Sequence, residues 1–269
     1  MKRLLLIVLL ASMMLLSAGC IGLGDGSDSG PENPTETESP EKTVDPLSEG
    51  ALLDAIDSVE RYEYDLTFRY EVDSARNLSI SAAGAVDRAA NSYRSEQEYD
   101  LFGTVQSSTY YVVDETMYAT GDAFDSADGW VRQPVTESDS DIVRQKLANL
   151  SAHTTLIENG TYGQFGTETV DGVETTEMVA SLSENQTDAV AEFVMDDPAN
   201  LEDVSYSIYV NESTSFVHKI ELNTSAAVDE VRTTTSVEIK FANHNGDIDV
   251  TLPEAARSAT PVDDTEADS

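Results

Sequence analysis

From Tyr62 to Asp73 every second residue is apolar: Tyr62, Tyr64, Leu66, Phe68, Tyr70 and Val72 alternate with Glu63, Asp65, Thr67, Arg69, Glu71 and Asp73. Successive side chains of an extended chain project to opposite faces, so this segment is a strand with one dry and one wet face. Such strands belong to antiparallel sheets. After a turn at 73–76, Leu78, Ile80, Ala82, Gly84 and Val86 carry the pattern onto a second strand. Further strands are predicted over 93–101, 105–113 and 117–120, with Asp114-Glu115 as a tight turn, and Trp130 opens another. Asp171-Gly172 centres a hairpin over 167–182. Strands around Val204–Val210 and Phe216–Leu222 flank a turn, and Val237, Ile239 and Phe241 form one more. A turn at 244–247 leads into a last strand with Ile248, Val250 and Leu252, which Pro253 ends.

Helical spacing appears where the alternation stops. Leu47, Ala51, Leu52, Ala55, Ile56 and Val59 form one stripe behind Asp45-Pro46, an N-cap followed by proline at the first helical position, and the helix ends near Arg61. A second helix is predicted over 140–150, through Ile142, Val143, Leu147 and Leu150, and a short third over 188–195. About ten antiparallel strands with one apolar face must curl and must be covered. The expected fold is therefore α+β, mainly β: a curved antiparallel half-barrel sheet with helices covering the concave face, over residues 47–253.

Composition narrows the partners. The 269 residues hold 15 basic and 51 acidic side chains, a formal charge of −36. No basic stripe offsets that charge, so nucleic acid is excluded as a partner. Self-repulsion of this size is relieved only by screening, and at about 1 M salt the Debye length falls to roughly 3 Å. The chain reads as salt-adapted, as in halophilic archaea.

The amino terminus reads as an address. Lys2 and Arg3 precede an apolar run from Leu4 to Leu16, then Ser17-Ala18-Gly19-Cys20. The run is short for a membrane span, which needs about 20 apolar residues, and suits a signal peptide over 1–19. The ending resembles the lipobox of prokaryotic lipoproteins, with Ser17 where Leu, Val or Ile is usual. Cys20, the chain's one cysteine, is then the lipidated first residue of the mature protein. Residues 20–46 read as an acidic stalk. This segment holds four of the eight prolines and no aromatic residue. Residues 254–269 read as a flexible acidic tail.

Taken together, the lipobox, the leading helix, the strand meander, Gly129-Trp130, the Asp171-Gly172 hairpin, the Tyr206–Thr214 segment and the closing Asp249–Ala255 resemble the LolA/LppX-like half-barrel lipoproteins. Haloarchaeal lipoproteins of unknown function share this plan. The resemblance implies a cell-membrane lipoprotein on the extracytoplasmic face. It also implies an acyl chain or other apolar ligand held beneath lid helices.

The residues themselves single out one face. Tyr62, Tyr64, Phe68 and Tyr70 lie opposite the small Ala82 and Gly84, with Trp130 further along. Large beside small either leaves an apolar cleft or is plain core packing. Six Asn-x-Ser/Thr sites, at Asn77, Asn149, Asn159, Asn185, Asn211 and Asn223, fall at predicted turns or element ends and are glycosylation candidates on an exported protein. The three histidines, His153, His218 and His244, lack metal-ligand spacing, and no Gly-x-Ser-x-Gly elbow, phosphate loop or HExxH occurs. No catalytic residue, metal or cofactor is expected. Two non-enzymatic functions remain: a module binding a lipid or other hydrophobic ligand, or an envelope interaction or sensor protein with a filled core.

The charge makes one direct prediction. Near-UV circular dichroism is expected to be intact in molar salt and lost on dialysis below about 0.1 M, where the Debye length reaches about 10 Å. An unchanged spectrum would remove the salt-adaptation reading.

Overall fold

The computed structural model describes residues 48–72, 76–122, 124, 129–135, 147–182, 187, 201–228 and 231–262. Signal, Cys20 and stalk lie outside the described residues, as do the short helix expected over 188–195 and most of that over 140–150. Contacts separate Met1–Pro46 from Leu47–Ser269, and the fold below is that of the second unit.

Twelve strands of described residues form one open, curved sheet. They are β1 (Arg61–Val72), β2 (Arg76–Asp87), β3 (Ser92–Leu101), β4 (Thr104–Val113), β5 (Thr116–Gly121), β6 (Val131–Pro134), β7 (Thr161–Val170), β8 (Val173–Ser181), β9 (Leu201–Val210), β10 (Val217–Val228), β11 (Val231–Ala242) and β12 (Thr260–Pro261). The order across the sheet is β12-β6-β5-β4-β3-β2-β1-β11-β10-β9-β8-β7. Two meanders thus meet where β1 pairs with β11, Leu66 opposite Ile239 and Phe68 opposite Val237. Tight turns join the hairpins without always using glycine. Asp114 and Glu115 both take positive φ, 52° and 58°, as Asp171 and Gly172 do at the other hairpin.

Register sorts the side chains. Tyr64, Leu66 and Phe68 share a face with Gly84, Ala82 and Ile80 on β2, and with Phe241, Ile239 and Val237 on β11. This is the inner face. Across β10 and β9 it continues through Ile220, Leu222, Ile208 and Tyr206. Helix α1 (Glu49–Ser58) packs Leu52 and Ile56 into the same cluster, and Leu147, Leu150 and Ile157 join from the segment around α2 (Thr154–Asn159). Ser48, not Asp45, caps α1: its hydroxyl accepts from the Ala51 amide at 3.2 Å. Arg88 donates to the Ile56 and Val59 carbonyls at 2.9 and 2.7 Å, so a cation sits on the orphaned C-terminal carbonyls. Asn245 ties the same end to the turn after β11, through the Glu60 amide and the Ser58 carbonyl.

Three expectations change. Ile248–Leu252 form no strand. Both edges of β11 are already taken, by β1 and β10, so a hairpin return after it has no partner. The segment expected as tail from 254 is ordered as far as Val262. Glu254–Ser258 is a 3-10 turn with Ala256 fully buried, and β12 then pairs parallel with β6, Thr260 opposite Val131. Asn223, expected at an element end, lies within β10.

On the outer face the tip of the β7–β8 hairpin is held by a buried cation. Lys219 Nζ lies 2.7 Å from Glu168, 2.9 Å from Glu221 and 3.7 Å from the Tyr209 ring centre. Burial alone would pull this ammonium down, but the two carboxylates more than offset it and hold it above its ordinary value. Lys240 adds a second tie, 3.7 Å from Asp171.

A Cβ built at Gly84 would lie 2.4 Å from the Arg94 carbonyl oxygen and 2.6 Å from the Tyr64 ring. Gly84→Ala is therefore expected to destabilise by about 1–3 kcal/mol despite its better strand propensity. Urea unfolding of the variant in molar salt measures this, and an unchanged midpoint would show that both the β3 backbone at Arg94 and the Tyr64 ring yield without cost.

Candidate functional site

The inner face has two halves. The upper half, toward α1, is closed. Tyr62 is fully buried, edge-on to Phe241 with ring centres 5.7 Å apart. Its hydroxyl donates to the Ala148 carbonyl at 3.1 Å and accepts from the Leu150 amide at 3.2 Å. One phenol on β1 thus fixes the segment entering α2, and burial raises its pKa to about 12. His153 makes the second clasp. Its Nε2 lies 2.8 Å from the Leu147 carbonyl and so carries the proton, which leaves Nδ1 to accept from the Tyr206 hydroxyl at 3.1 Å. Tyr162 makes a third, donating to the Leu156 carbonyl at 3.1 Å.

The sequence-selected residues divide between the halves. Tyr62, Tyr64 and Ala82 are buried beneath or beside this cover. Tyr64 lies over Gly84 and donates to Ser95 Oγ at 2.9 Å, so the large-beside-small pair is filled by the ring itself. Trp130 is not brought to the group. It precedes β6, five strands from β1, and packs on Tyr111 at 6.0 Å.

Phe68 and Tyr70 fall in the lower half, where Phe68 packs against the margin of the buried cluster and Tyr70 is not part of it. Register places Phe68 beside Ile80 and Tyr99, and Tyr70 beside Leu78 and Leu101. All six are half-buried. At the foot of this stripe the β3–β4 turn presents Phe102, 70% exposed. On the β11 side the stripe ends in hydroxyls, Thr235 beside Tyr70 and Thr224 beyond it. Tyr99 donates to Gln97 at its upper margin. The arrangement offers apolar area with a polar border and no nucleophile–base pair. Among the described residues no group of three or more His, Cys, Asp or Glu could hold a metal ion, and no helix is long and apolar enough to cross a membrane.

Sequence reading missed the buried His153 clasp and the Lys219 tie, because one partner of each, Tyr206 and Glu168, comes from a distant segment. It also missed the stacking of Phe216 on His244 and the close approach of His218 to His244, each with ring centres 4.9 Å apart. Among the sequence-selected asparagines, Asn77, Asn149 and Asn223 are exposed. The Asn211 side-chain Oδ1 instead accepts from the Ser213 and Thr214 amides of its own turn. The side chains of Asn159 and Asn185 lie outside the described residues.

No family model matches the chain, and no curated protein matches it. Among solved structures it is similar to the Pseudomonas aeruginosa MucA/MucB complex, at 12% identity over 77% of this chain and 60% of that one, TM-score 0.34. A structure of MucB gives 11% identity over 77% and 63%, TM-score 0.36. A LolA superfamily protein from Nitrosomonas europaea gives 8% over 78% and 96%, TM-score 0.27. The chain spans about three-fifths of the length of the MucB chains it matches. These are partial likenesses, and the functional reading rests on the chain's own geometry.

His153 makes the cover sensitive to acid. Burial lowers its imidazole to about 4 from the ordinary 6.5, with the Leu147 carbonyl opposing. The unfolded chain takes up this proton near pH 6.5 and the folded one only near 4. The contribution is therefore complete above pH 6.5 and is lost as pH falls toward 4. Compared with His153→Gln, the native chain should lose up to about 1.4 kcal/mol more stability per pH unit in that window, read from urea midpoints at constant salt. Equal slopes would show that the ring titrates freely.

Proposed function

We propose that the chain is a non-enzymatic, membrane-anchored extracytoplasmic lipoprotein, tethered through lipidated Cys20, that binds a lipid or other hydrophobic ligand on the lower half of its inner face. The observation that carries this reading is the division of one apolar face. Three side-chain clasps seal the upper half, while Phe68, Tyr70, Leu78, Ile80, Tyr99 and Leu101 stay half-buried in register below it. A ligand that covers this stripe removes apolar area from water at about 25 cal/mol per Å². The threonine border suits the polar end of such a ligand. The location differs from a cleft beneath the helices, since the upper half is packed with the chain's own rings. The stalk over 20–46 keeps the body near the membrane, where lipids are concentrated.

The packed upper half favours a second reading, an envelope interaction or sensor protein that meets a partner through the same stripe. The two separate on small-ligand uptake. With the full chain in molar salt, a fluorescent fatty acid should bind, and Leu78→Gln or Tyr70→Gln should weaken it about tenfold with near-UV circular dichroism unchanged. Absence of uptake, or equal uptake by the variants, would overturn the lipid reading.

A further inference from the structure

The outer face of the sheet carries a hollow of about 350 Å³ across β1, β11, β10 and β9. That volume is at the small end of ligand sites. Two rows of side chains meet in it. Arg69, Ser236, Asn223 and Ser205 form one, and Glu71, Thr234, Ser225 and Asp203 the other. The β9–β10 ladder shifts register between Ser225 and Ala226, beside the hollow. A bulge of this kind bends its strand and re-aims nearby side chains. Arg232 joins from β11, with Glu202 at 3.8 Å.

Four of the polar groups here are uncommitted. Ser225 is 8% exposed, and its hydroxyl has no hydrogen-bond partner among the described residues. A buried hydroxyl left unpaired costs free energy, so a ligand acceptor there is favoured. Among the described residues, Arg69, Glu71 and Asp203 make no side-chain hydrogen bond or ion pair. Arg69 and Arg232 stand there against Glu71 and Asp203, with Glu202 beside Arg232, so the hollow is far less acidic than a chain of charge −36 as a whole. Its two guanidiniums give an anionic group a local attraction. No aromatic ring lines it on which a sugar would stack.

We propose that this hollow binds a small zwitterion of dipeptide length. Its carboxylate takes the Ser225 hydroxyl and a guanidinium, and its ammonium takes one of the carboxylates that end the same row. Ser225 and Glu71 are two strands apart, about 10 Å between backbones. Two extended residues span about 7 Å, which fits that separation once side chains reach inward. The rings of the apolar stripe lie on the opposite face, and of its border only Thr224 and Thr235 also line the hollow.

Isothermal titration of the full chain in molar salt with glycylglycine tests this, beside N-acetyl-glycylglycine and glycylglycine amide. Glycylglycine should bind, and each single-charge analogue should bind about tenfold more weakly. Arg232→Gln and Glu71→Gln should each cost about tenfold, and Ser225→Ala a few-fold, with near-UV circular dichroism unchanged. Arg232→Gln should spare the amide, and Glu71→Gln the acetylated peptide. Absence of binding, equal binding of an analogue, or variants that bind like the native chain would each overturn the proposal.

Discussion

The structure depends on the pairing of β1 with β11. It joins two meanders into one sheet and brings Tyr62, Tyr64 and Leu66 into line with Phe241 and Ile239. Because side chains alternate along a strand, this one register fixes the content of both faces. A slip by one residue would put Glu63 and Asp65 under the helices and the tyrosines in water. The central position of β1 also decides where the cover is anchored. Tyr62 on β1 holds the Ala148–Leu150 segment, and Arg88, at the end of β2, holds α1.

The outer face solves a different problem. An acidic surface this dense resists compaction at low salt, so attractive pairs on it have to be placed where water and salt screen them least. Lys219 is such a place: it is buried, and two carboxylates and a tyrosine ring surround it. Removing one carboxylate would leave the cation undercompensated, which is why such a pair fixes geometry more than it adds net stability. Here it fixes the hairpin tip, Glu168 and, through Lys240, Asp171.

Much of this was legible as period. The alternation over β1 and the turn pair Asp171-Gly172 are local signals, and both hairpins form where they point. Asp114-Glu115 turns without glycine, and both residues accept positive φ there. The misreadings came where a local pattern lacked a partner in space. Ile248, Val250 and Leu252 alternate as well as any strand, yet both edges of the strand before them, β11, are occupied. Thr260 and Pro261 show little pattern, yet they find the edge of β6. Edge availability is a property of the whole topology, so no window of sequence contains it.

The aromatic face shows the same limit at the level of a site. Tyr64 opposite Gly84 is compatible with either a cleft or a filled contact, and the sequence is identical in both cases. What decides is whether the ring stands up from the sheet or lies across the glycine, and here it lies across, its hydroxyl drawn to Ser95. The hydrogen bond satisfies a polar tip that would otherwise be buried bare. Phe68 and Tyr70 are only four and six residues further along the same strand. They differ in burial: Tyr64 belongs to the buried cluster, whereas Phe68 meets only its margin and both Phe68 and Tyr70 are half-buried, so the same alternation that builds a core above leaves a partly exposed surface below. A helix of ten residues such as α1, at less than half the rise per residue of a strand, is much shorter than the twelve residues of β1, and the alternation of β1 runs on past the buried cluster that α1 joins.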